Sequence, residues 1–125
     1  ENIALAFSNA FENDKIESRF SGVIYVTAHD LLKWEQSLKD FQLISKKSMN
    51  ILAKSFNGNQ SAIGNAEFID GNWVSHLHNG ESRNFEAILY SNYQKNYTII
   101  LLGNNKNRKL FELTDNLIDI LASKD

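Results

Sequence analysis

The chain has 125 residues, 42% hydrophobic and 11% aromatic, enough for one core and too few for several domains. A formal charge of −2 and a pI near 5.9, with no Lys/Arg cluster, exclude the basic field of a nucleic-acid-binding protein. With no cysteine there is neither a disulfide framework nor a thiolate metal site, and no apolar run reaches the ~18 residues of a membrane span.

Residues 1–20 read as an extended arm or short strand, because Ile3, Leu5 and Phe7 alternate with small residues. Glu1 in place of a methionine reads as a cut edge, so any targeting sequence is expected to have been cut away. Ser21-Gly22 punctuates, and Val23 to Val26 is a short apolar run. Thr27 with Asp30 three positions on predicts a capped helix over Ala28 to Lys39, with Leu31, Trp34, Glu35 and Leu38 along one mainly apolar stripe. A second helix is predicted from Ser45, with Met49, Leu52, Ala53 and Phe56 buried and Asn57-Gly58-Asn59 ending it.

From Ser61 the period becomes strand-like. Ala62 to Ile69, Asn72 to His78, Asn84 to Tyr90 and Tyr97 to Leu102 read as strands, with Asp70-Gly71 as a two-residue hairpin turn. Short connections favour an antiparallel meander. The last strand is apolar on both faces, as a central strand covered by helices on both sides is. Leu110, Leu113, Thr114, Leu117, Ile118 and Leu121 then predict an amphipathic terminal helix within 106–123, with Lys109, Glu112, Asp115 and Asp119 opposite. The expected fold class is α+β: a sheet of three to four antiparallel strands, two helices on its N-terminal side and one C-terminal helix, in a single domain.

Two stretches carry a resemblance. The first is Ser21-Gly22, Thr27, Asp30-Leu31 and Trp34. The second is His78-Asn79-Gly80, then Phe85 and two apolar strands ending in Leu101-Leu102-Gly103-Asn104. In order and spacing, from residue 21 to the end, they resemble the serine beta-lactamase and penicillin-binding-protein-like hydrolases, with their esterase and D-alanyl-peptidase relatives. The second stretch looks like the family's H-x-G element. The resemblance implies a partial beta-lactamase/transpeptidase-like fold and an exported or periplasmic parent. Two departures stand out. Asn84 occupies the place of a common glycine. The Ser-x-x-Lys nucleophile element is absent, since Ser18-Arg19-Phe20-Ser21 and Ser45-Lys46-Lys47-Ser48 both lack lysine at the fourth position.

The resemblance therefore implies a C-terminal part that forms one wall of a cleft, with no catalytic residue of its own and no activity alone. His78, Asn79, Gly80, Glu81 and Ser82 are the expected substrate-binding residues. His78 would stand beside a substrate carboxylate or leaving group, Gly80 would leave room for substrate backbone, and a main-chain N–H near Glu81 or Ser82 would serve an oxyanion hole. His76 and His78 share a strand face, a spacing able to chelate zinc. The third histidine, His29, belongs to a helix start, so neither metal nor cofactor is expected. Trp34 and Trp73 read as packing residues, and Thr27 and Asp30 as capping groups. The expected partners are the missing N-terminal part of the family fold and, through the strand at 97–102, a second copy; nucleic acid is not one. The alternatives are a non-catalytic α+β binding or interaction module and a degenerate family member whose parent also lacks the serine.

Overall fold

The structure, a computed structural model, describes residues 6–9, 12–14, 24–82 and 84–123. Where an extended arm is expected, Ala6–Asn9 (β1) and Glu12–Asp14 (β2) pair antiparallel as a short ribbon; Ile3, Leu5, Ser21, Gly22 and Val23 lie outside the described residues.

Helix α1 (Ala28–Lys39) starts as its cap predicts: Thr27 Oγ1 accepts from the Asp30 N–H at 3.1 Å and donates to Asp30 Oδ2 at 2.8 Å. Glu35 and Leu38 are buried, while Trp34 is exposed at the edge of the stripe. The helix ends in a Schellman motif, with Phe41 N–H donating to the Leu38 carbonyl at 3.1 Å and Gln42 N–H to the Ser37 carbonyl at 2.9 Å. The left-handed position is Phe41 (φ 55°), not a glycine, and its ring meets Phe68 edge-on at 6.0 Å. That aromatic contact offsets the strain of a left-handed Phe.

Helix α2 (Lys46–Leu52) is capped by Ser45 and buries Met49 completely. It ends earlier than predicted. Phe56 is 75% exposed, beyond the helix, in a turn bridged from Phe56 to Asn59 with Asn57 and Gly58 at φ 50° and 75°. The left-handed Asn57 and Gly58 therefore belong to a separate turn and not to the end of α2.

The antiparallel meander is present with four strands in sequence order: β3 (Asn65–Ile69), β4 (Asn72–Glu81), β5 (Glu86–Asn92) and β6 (Tyr97–Gly103). Asp70 and Gly71 both take positive φ, 50° and 76°, as the primed hairpin turn requires. Five boundaries differ from expectation. β3 starts at Asn65 because Ser61–Gly64 closes into a separate turn; β4 runs on through Glu81; β5 begins at Glu86 and ends at Asn92; and β6 ends at Gly103. The apolar β6 is also not central: among the described residues it is an edge strand, as β3 is, although α1 and the terminal helix α3 (Leu110–Ala122) both touch it. On α3, Thr114 is buried and Leu110, Ile118 and Leu121 are half-buried, but Leu113 and Leu117 are exposed.

Leu38, Met49 and Trp73 form the core beneath α1 and α2, with Phe41, Ile44, Ile63, Phe68 and Tyr93 packed around them. Each such burial stabilises by roughly 1.5–3 kcal/mol. In β5 the neighbours Ile88 and Leu89 are both buried, so both faces of the sheet are covered there.

Candidate functional site

The five residues singled out in the sequence fall at the end of β4 and in its turn, but they do not share one surface. Side chains alternate along a strand, so His76, His78 and Gly80 belong to one face, and Asn79 and Glu81 to the other. The first face is the α1 side, since His76 contacts Glu35 there. On the second, Asn79, Glu81, Glu86 and Ile88 line a hollow of about 420 Å³ against Leu110 and Phe111 of α3. Glu81 there forms an ion pair with Lys106.

The main chain of this segment is half paired. β4 is registered with β5 as far as Glu81, but with β3 only as far as Leu77. Ser82 N–H donates to the Phe85 carbonyl at 2.9 Å and Tyr93 N–H to the Val74 carbonyl at 3.0 Å, so even-numbered residues of β4 bond towards β5. By alternation, Asn79 and Glu81 turn their N–H and C=O groups to the opposite edge, where no strand lies among the described residues. The Ser82 N–H is already engaged; the Asn79 and Glu81 N–H groups are the donors this edge offers, Glu81 nearer the turn. Tyr25 packs edge-on against Phe85 at 6.0 Å, which places the segment before α1 beside the same turn.

Behind His78 lies a polar network that sequence reading did not identify as such. His76 is 0% exposed, and its Nδ1 lies 2.9 and 3.0 Å from the two carboxylate oxygens of Glu35, itself 1% exposed. Its Nε2 is 2.6 Å from the Ile63 carbonyl. A carbonyl and a carboxylate both accept, so both ring nitrogens carry protons and the ring is an imidazolium. Burial alone would lower the His76 pKa, but the Glu35 hydrogen bond and charge and the Ile63 carbonyl outweigh it and hold it above the ordinary range. Burial likewise pushes Glu35 up, yet His76, Tyr93 and Ser91 outweigh it and hold the carboxyl below its usual value. The Tyr93 hydroxyl donates to Glu35, and burial and then that carboxylate drive its own pKa upward. Trp34 and Trp73 flank the imidazole at 6.2 and 5.6 Å between ring centroids. The signal for Glu35 was present in the sequence: an acid set within an apolar stripe is a buried acid, and a buried acid needs a partner.

The same Ile63 carbonyl also receives His78, whose Nδ1 is 3.3 Å away. Ile63 belongs to the turn closed by Ser61 Oγ donating to the Gly64 carbonyl and by Gly64 N–H donating to the Ser61 carbonyl at 3.2 Å. Gly64 (φ +91°) must be glycine, since a Cβ there would fall 2.5 Å from His78 Nδ1 and 2.8 Å from the Leu77 carbonyl. His76 and His78 therefore share a face, as expected, but both turn to a carbonyl. Among the described residues no cluster of three metal-ligating side chains occurs, and no helix is long and apolar enough to cross a membrane.

No protein-family model, curated protein or solved structure matches the chain.

Proposed function

We propose that this chain is the C-terminal part of a serine hydrolase of the beta-lactamase-like kind, and that the free edge of β4 is one wall of its cleft. The observation that carries the reading is the overhang of β4: His78, Asn79, Gly80 and Glu81 extend beyond β3, and the main-chain groups of Asn79 and Glu81 meet no strand among the described residues, beside an exposed imidazole. An extended substrate can lie along such an edge by adding hydrogen bonds as a further strand. The Glu81 N–H is the donor available to a developing oxyanion, and Gly80 leaves its face of the strand open. The attacking hydroxyl and its base come from the preceding part of the polypeptide, since the chain lacks Ser-x-x-Lys. The choice among beta-lactam, peptidoglycan peptide and ester belongs to that part as well.

The test is made on the full-length protein. Its reading frame upstream of Glu1 should encode Ser-x-x-Lys, and His78→Ala should lower kcat/KM on a p-nitrophenyl ester or chromogenic beta-lactam by about 10²-fold. An upstream sequence without that element ends the hydrolase reading. The open edge supports a second reading, a non-catalytic strand-binding module; peptide binding by the isolated chain, lost on filling the edge, would favour it.

A further inference from the structure

Four groups run in line from helix α1 to the open edge: the Glu35 carboxylate, the His76 imidazolium, the Ile63 carbonyl and the His78 imidazole. The first three are tightly placed. Glu35 and His76 are buried, Ile63 packs against the Leu38–Met49–Trp73 cluster, and the Ser61–Gly64 turn is closed on itself. A carbonyl oxygen has two lone pairs, so Ile63 can serve both rings at once. It can only accept, however, and this fixes which His78 nitrogen carries the proton. A neutral imidazole whose Nδ1 bonds to a carbonyl is the Nδ1–H tautomer, and its Nε2 is then a bare acceptor.

We propose that Glu35 and His76 are positioning residues for His78: through the shared Ile63 carbonyl they hold it as the Nδ1–H tautomer, presenting an unprotonated Nε2 at the edge of β4. This rests on the reading of that edge as a substrate wall, and it narrows the chemistry His78 recognises. Neutral His78 meets a hydrogen-bond donor, such as the hydroxyl or amine of a leaving group, rather than a substrate carboxylate. The Glu35–His76 pair takes no part in bonding the ligand. Its charge, buried between two tryptophans, locates one backbone oxygen.

The isotope-labelled chain, without substrate, supplies the test: long-range proton–nitrogen correlation spectra at about pH 8 distinguish the two tautomers and the doubly protonated ring. The expected result is His78 protonated at Nδ1 only and His76 at both nitrogens. A His78 ring protonated at Nε2, or exchanging evenly between forms, overturns the proposal, as does a singly protonated His76. Gly64→Ala brings a methyl onto His78 Nδ1 and against the Leu77 carbonyl and should release the ring to the Nε2–H form. The variant Glu35→Leu/His76→Leu/Tyr93→Phe keeps the core apolar and folded, and should release His78 in the same way. An unchanged His78 spectrum in the triple variant means that the network positions nothing, and one in Gly64→Ala means that the Ile63 carbonyl does not set the tautomer. Since no turnover is measured, loss of the hydrolase reading and loss of this one are separable: an upstream sequence without Ser-x-x-Lys, or a full-length His78→Ala with unchanged kcat/KM, removes only the former when the unsubstituted chain shows the expected tautomers.

Discussion

Glu35 and His76 are both buried and both charged, an arrangement whose stability depends on pH in a definite direction. The carboxyl is held below its ordinary value of 4.5, so its contribution is complete above that value and is lost as the pH falls through the lowered pKa. The imidazole is held above 6.5, so its contribution is complete below that value and is lost as the pH rises through the raised pKa. The two windows overlap between these ordinary values, and unfolding free energy from urea titration should be greatest there and decline on either side. His76→Leu alone strands a carboxylate and should cost about 3–5 kcal/mol at the optimum. Replacing Glu35, His76 and Tyr93 together by Leu, Leu and Phe should cost far less and flatten the profile. A triple variant with the same pH dependence as the parent would assign that dependence to other groups.

At the level of elements, the parts dictated by local chemistry were legible. Thr27 and Ser45 cap where a hydroxyl accepts from the third residue on, and Asp70-Gly71 forms the primed turn that demands two positive φ values. The missed boundaries have tertiary causes. Nothing in Ala62-Ile63-Gly64 announces a turn until two imidazoles across the sheet take the Ile63 carbonyl. The left-handed Phe41 is held by Phe68, 27 positions away, where sequence reasoning looks for glycine. Of the site, the segment from His78 to Ser82 was legible, but its division between two faces and two edges follows only from the β4 register. That register makes a prediction. Amide hydrogens of His78 and Gly80 bond towards β5 and should exchange slowly, whereas those of Asn79 and Glu81 should exchange on the order of a hundredfold faster. Equal protection at all four would mean that the edge is covered and unavailable to substrate.

Across the whole molecule, the second incomplete edge is that of β6. Phe85 and Tyr93 bond towards β4, so the even-numbered residues of β5 face β6 and pair with Tyr97, Ile99, Leu101 and Gly103; Thr98, Ile100 and Leu102 therefore direct their main-chain groups outward. The strand from Tyr97 to Gly103 has no charge, no proline and an unbroken register with β5, none of the devices that blunt natural edges. Phe111 of α3 faces the hollow beside β4, and at 100° per residue Leu113, Leu117 and Ile120 lie on the opposite flank, 46%, 36% and 53% exposed. On the proposed hydrolase reading, an upstream strand would take this place. In the isolated chain the same surface suits a second copy. α3 touches both β5 and β6 and so sits over their seam, and strands about 4.8 Å apart would bring two such helices to roughly 9–10 Å, a normal packing distance. The seven residues of β6 with Leu113, Leu117 and Ile120 on the flank of α3 make up about half of the roughly 20 residues a side of a stable interface, which suits a weak dimer. Sedimentation of the isolated chain at roughly 10–100 μM should therefore show a dimer, without turnover of ester or beta-lactam. Leu102→Lys or Leu113→Lys should weaken it about tenfold or more while circular dichroism is unchanged, and Phe111→Lys, on the other flank, should leave it intact. A monomer throughout that range, or a dimer that Phe111→Lys disrupts and Leu113→Lys does not, would place no partner at β6. A dimer abolished by removing residues 1–20 would instead place the arm in the interface.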